Sequence, residues 1–74
     1  MNEIFARISY LGRGHRYSYM IDPENHSEVY GAVYDMTNCD HEIADDAAAW
    51  CELATVGDVY EFRDGKIEIE EIDV

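Results

Sequence analysis

Positive charge is scarce in this sequence. Lysine and arginine together occur five times, against seventeen aspartates and glutamates, for a formal net charge of −12. That shortage argues against direct nucleic-acid binding, which needs a basic stripe to displace the counterions of phosphate. It also argues against adhesion to anionic membranes. No segment approaches the roughly 20 apolar residues of a membrane span. Two cysteines are too few for a disulfide framework. The opening residues, MNEIFARISY, alternate like a strand and contain no apolar signal core. The expected compartment is therefore cytoplasmic, and Asn25-His26-Ser27, which fits a glycosylation sequon, is read as a chance match.

What is present is the material of a small folded domain. A chain of 74 residues gives one domain and buries only about 60% of the surface its unfolded form exposes. There is room for one sheet face and one helix, not for a deep catalytic cleft. Hydrophobic residues make up 47%, with six tyrosines, one tryptophan and a single proline, a content that disordered chains lack. The charge is lopsided. Residues 1–34 hold four acids (Glu3, Asp22, Glu24, Glu28) against Arg7, Arg13 and Arg16, while residues 35–74 hold thirteen acids against Arg63 and Lys66. A folded polyanion is drawn to basic surfaces. Solubility is the less specific reason for the same charge.

Periodicity outlines the elements. Glu3–Leu11 sets Ile4, Ala6, Ile8 and Tyr10 opposite Phe5, Arg7, Ser9 and Leu11, which is strand alternation. Gly12–His15 (GRGH) reads as a hairpin loop, and Arg16–Asp22 as a second strand. Asp22–His26 (DPENH) is a turn. Glu28–Met36 alternates again, with Val29, Gly31 and Val33 against Tyr30, Ala32, Tyr34 and Met36, and is assigned as a third strand. A helix is expected over about Asp40–Thr55, ended by Val56–Asp58. Two alternating runs then flank Asp64-Gly65, a dipeptide suited to a type I′ turn. The expected fold is α+β: an antiparallel sheet of four to five strands with one helix on one face, in the order β-β-β-α-β-β.

The stretch Asn38–Glu52, NCDHEIADDAAAWCE, concentrates two cysteines, a histidine and five carboxylates. At helical spacing Ile43, Ala47, Trp50 and Ala54 fall on one stripe. Cys51 and Leu53 flank it, and Cys39 joins it if the first turn is helical. Asn38 or Asp40 can cap the N-terminus, where Glu42, Asp45 and Asp46 also suit the helix dipole. A structural zinc site needs four ligands. Cys39 and Cys51, twelve residues apart on one helix, would be about 18 Å from each other, too far for one ion or a disulfide. His41 and Asp45 could supply two ligands, with only Glu52 in reach as a third. The stretch is therefore read as a capped amphipathic helix, and no metal or cofactor is expected.

Other candidates for chemistry are weak. Arg13, His15 and Arg16 form the only basic island, on a loop that lacks the following helix of phosphate-binding loops. Neither the serines (Ser9, Ser18, Ser27) nor Cys51 has the context of an activated nucleophile. Glu68 and Glu70 share a strand face opposite Ile67 and Ile69, which suits a solvated row that discourages edge pairing. No catalytic residue is assigned, and the protein is expected not to be an enzyme. The tyrosines are more suggestive. If Tyr17 and Tyr19, or Tyr30 and Tyr34, lie on the open face of the sheet, they give an aromatic contact patch beside carboxylates. Base-stacking sheets surround such rings with lysine and arginine, so a protein partner is favoured.

A short acidic chain with a β-rich start, one acidic helix and a closing hairpin resembles the small accessory proteins of bacterial phages and conjugative transposons. Some of these, the anti-restriction and anti-CRISPR proteins, are acidic and occupy nucleic-acid-binding surfaces. The resemblance implies a docking role on a basic protein. The expected surface comprises Asp45, Asp46 and Glu52 on the helix and Glu61, Glu68, Glu70 and Glu71 on the last hairpin, with Tyr17, Tyr19, Tyr30 and Tyr34 adding contact area. The rivals are a homodimer or larger homo-oligomer formed through the open sheet face, and weak metal binding through His41 and Asp45.

Overall fold

The computed structural model describes residues 2–12, 17–63 and 65–73. Its elements are β1 (Asn2–Tyr10), β2 (Tyr17–Ile21), α1 (His26–Met36), α2 (His41–Leu53), β3 (Val59–Phe62) and β4 (Gly65–Asp73). The four strands form one antiparallel sheet in the order β2-β1-β4-β3. The fold is α+β, as the periodicity implied. Its order, however, is β-β-α-α-β-β, with two helices rather than one.

The correction lies in residues 28–36, read as a strand and observed as α1. Val29 and Val33 satisfy a strand's alternation, but they are also one helical turn apart. Met36 continues their stripe at i+7, and these three are the buried residues of the helix. The start is fixed by Asn25, whose Oδ1 accepts from the Glu28 N–H at 3.2 Å. The Asp22–Asn25 turn precedes it, closed by the Asn25 N–H to the Asp22 carbonyl at 2.9 Å. At the far end Thr37, 2% exposed, returns its hydroxyl to the Val33 carbonyl at 2.8 Å.

A second correction concerns α2. Asp40 is the N-cap, accepting from the N–H groups of Glu42 and Ile43 at 3.1 Å each. Asn38 and Cys39 stand outside the helix with φ of 57° and 70°, so Cys39 is exposed and does not join the apolar stripe. The buried stripe is Ala44, Ala47, Ala48 and Cys51, with Ile43 and Trp50 on its border and Leu53 turned out at 88% exposure. Three alanines on that stripe let α2 lie close against α1.

Both helices cover the same face of the sheet. Ala6 and Ile8 of β1 pair with Ile69 and Ile67 of β4, and all four are buried beneath Val29, Val33 and Met36 of α1 and the alanines of α2. Trp50 reaches β3, its ring 5.3 Å from that of Tyr60. The β3–β4 register pairs Phe62 with Gly65, so Gly65 belongs to β4 and is not a turn residue. Asp64, the other half of the expected turn dipeptide, lies outside the described residues. So do Arg13, His15 and Arg16, and with them most of the expected first hairpin loop. Arg63 ties the last hairpin to the helix corner, donating to the Thr37 carbonyl at 2.9 Å and lying 3.7 Å from Asp40 Oδ2.

Candidate functional site

No lysine or arginine occurs between Arg16 and Arg63, and that interval contains both helices. Carboxylates are frequent there. Glu28 and Asp35 of α1 are exposed, as are Glu42, Asp45, Asp46 and Glu52 of α2. Helical spacing keeps these acids off the core stripe and directs them to solvent. The helical layer is thus an anionic surface with no cationic residue of its own.

The open face of the sheet is different. Arg7, Lys66, Glu68 and Glu70 occupy that face, since alternation places them opposite Ala6, Ile67 and Ile69. Arg7 Nε donates to Glu70 Oε2 at 2.6 Å, and Lys66 Nζ lies 2.8 Å from Glu68 Oε1. The hydrogen bond to Glu70 holds the Arg7 guanidinium above its usual pKa, and the bond to Glu68 does the same for Lys66. Two of the four carboxylates on this face, Glu68 and Glu70, are matched by cations; Glu61 lies across from Lys66 in the β3–β4 register, and Glu3 is exposed beyond Arg7 on β1.

The expected docking residues therefore do not form one surface. Asp45, Asp46 and Glu52 lie on the helical side, whereas Glu61, Glu68 and Glu70 lie on the opposite side of the sheet. Glu71 is exposed near the strand end, where Asn2 Nδ2 donates to it at 3.2 Å. The tyrosines separate as well. Tyr19 pairs with the buried Ile8 and so faces the helices, at 49% exposure. Tyr17 is the first residue of β2. Tyr30 and Tyr34 lie on α1, not on a strand, and no open-face tyrosine patch arises from them.

Tyr30 and Tyr34 instead belong to a row of rings along the α1–α2 seam. His26, Tyr30 and Tyr34 are four residues apart on α1, with ring centroids 6.4 and 5.7 Å apart. His41 of α2 closes the row, 5.1 Å from Tyr34, and its Nδ1 is 2.8 Å from the Tyr30 hydroxyl. At the other end His26 Nδ1 lies 3.2 Å from Glu52 Oε1. The two histidines thus bridge the antiparallel helices at both ends of their seam. A hydrogen bond to Cys39 raises the Tyr34 hydroxyl pKa. Burial, followed by the charge of Asp46, does the same at Tyr60.

His41 is engaged with Tyr30, and among the described residues no three His, Cys, Asp or Glu side chains come together to hold a metal ion. Cys51 is 2% exposed, and burial pushes its thiol up to about 11, which makes it a poor nucleophile at neutral pH. Among the described residues no helix is long and apolar enough to cross a membrane. Glu28, Asp35 and Glu42 were not among the docking residues expected from the sequence. A helical reading of residues 28–36 would have placed Glu28 and Asp35 on one face, seven residues apart. Comparison with known proteins leaves the site to stand on its own chemistry: no protein-family model, curated protein or solved structure matches the chain.

Proposed function

We propose that this protein is a non-enzymatic interaction module that docks its helical layer on a basic surface of a protein partner. One observation carries the reading. The two helices present exposed carboxylates without a single lysine or arginine, while the cations of β1 and β4 are already matched by Glu70 and Glu68. A surface of like charge raises the local potential, speeds association with an opposite one, and repels competitors of its own sign. The docking set becomes Asp45, Asp46 and Glu52 from the earlier expectation, joined by Glu28, Asp35 and Glu42. The most basic surfaces in a cell belong to nucleic-acid-binding proteins, so occupation of such a surface, and hence inhibition, is the role that follows.

Self-association through the open sheet face is less favoured. That face is crossed by the Arg7–Glu70 and Lys66–Glu68 pairs, and Met20 and Val59 are its exposed large apolar residues. The test is capture from a bacterial lysate at low and high salt, with the captured protein identified. A specific basic protein retained at low salt and released as ionic strength rises supports the proposal. Salt-insensitive capture, or a chain that sediments as a dimer at every concentration, contradicts it.

A further inference from the structure

Strand β2 is one edge of the sheet, and its sequence, YSYMI, has no charge and no proline. Edge strands commonly carry such residues to keep other strands away. The opposite edge, β3, carries Glu61. Beside β2, between it and α1, runs a groove of about 410 Å³, within the size range of ligand sites. Tyr19, Ile21, Ala32 and Met36 make its apolar lining, and Glu28 and Asp35 add a carboxylate at each end. Those two acids share a face of α1 with Gly31 between them, and neither is ion-paired among the described residues.

We propose that the groove receives an extended basic segment of the protein partner, laid along β2 as a fifth strand, with an arginine or lysine side chain entering between Glu28 and Asp35. This deepens the docking reading and rests on it for the sign of the partner's charge. The long aliphatic stem of such a side chain suits the apolar lining, and its cationic head suits the two carboxylates. Strand addition supplies main-chain hydrogen bonds, and the groove selects the alternate side chains. An acidic surface alone binds any polycation. This site requires charged and apolar residues in alternation, because every second side chain of an added strand faces the helices.

Fluorescence anisotropy with a labelled peptide of alternating arginine and valine tests the idea on the whole chain. Gly31→Leu is the blocking variant: Gly31 lines the groove and an ideal Cβ there meets nothing within 4 Å, so a side chain at this position starts in open groove space, and leucine favours helix over glycine. The variant should keep or raise the melting temperature and bind the peptide at least about tenfold more weakly. Glu28→Gln combined with Asp35→Asn should weaken binding by a similar factor of about ten. A peptide of the same composition with its arginines and valines in two blocks should bind about tenfold less well than the alternating one.

Equal binding by the Gly31→Leu variant, or equal binding of the two peptides, overturns the groove proposal. The wider docking reading survives those results if Asp45→Asn with Asp46→Asn still weakens both peptides, and it falls if neither peptide binds the wild type. A wild-type dimer converted to monomer by Gly31→Leu makes a second copy of the chain the occupant, and also overturns the proposal.

Discussion

An ideal Cβ at Gly65 would lie 2.6 Å from Phe62 Cζ and 2.7 Å from the Ser9 carbonyl oxygen. The ring and the neighbouring backbone of β1 occupy the space any side chain would need. Gly65→Ala should therefore cost about 1–3 kcal/mol, as overpacking does, seen as a lower urea midpoint at unchanged slope; an unchanged midpoint contradicts the packing described. The two thiols offer a second test. Cys39 is exposed and Cys51 buried, so a thiol reagent should modify one cysteine quickly in the folded protein and the second only on unfolding. Two fast thiols would place Cys51 outside the core. Burial also gives Cys51 a pH signature. Its folded pKa is raised from 9.0 to about 11, so the unfolded chain releases that proton first. Its contribution is fully present below pH 9 and is lost as pH rises toward about 11. Cys51→Ala should make the stability profile shallower over that interval, and an unaltered slope contradicts the assignment.

At the scale of elements, α2 was legible because its signals agree. A capping residue, acids in the first turn and an apolar stripe all support a helix at Asp40. Asp40→Ala removes a side chain that accepts from two N–H groups and neighbours Arg63. The loss should be about 1 kcal/mol, with Asp40→Asn retaining most of the stability in chemical denaturation. An alanine variant as stable as wild type removes the cap from the account. The α1 segment was misread because its signals conflict. Valine and tyrosine favour strands, and Val29 and Val33 fit a period of two as well as a helical turn. The deciding features are non-local or subtle: the Asn25 cap, and burial of Met36 against the core. The closing hairpin forms as expected, but Gly65 lies in β4 for a different reason than turn chemistry. Glycine there is required by the approach of Phe62 and Ser9, a demand of packing that turn chemistry does not reveal.

The whole molecule sorts its charge by layer. A helical wheel sets Asp46 at the margin of the expected stripe, one turn before Trp50, but Asp45 and Glu52 opposite it, so those two were legible from the sequence as solvent-facing acids. The status of Glu68 and Glu70 was not. Glu70 meets Arg7 across the β1–β4 pairing, 63 positions away in the chain, and composition alone counts both acids as free charge. Strand order decides which carboxylates are matched and which are not. The result is an amphoteric sheet face on one side and an anionic helical layer on the other.

The most direct test of that division is the affinity of the captured basic partner for two neutralised variants, measured across ionic strength. One carries Asp45→Asn, Asp46→Asn and Glu52→Gln; the other carries Glu68→Gln and Glu70→Gln. The account predicts that the helix variant loses about tenfold or more in affinity and flattens the salt dependence, while the sheet variant binds as the wild type does. Equal losses in both variants, or a loss confined to the sheet variant, would contradict it.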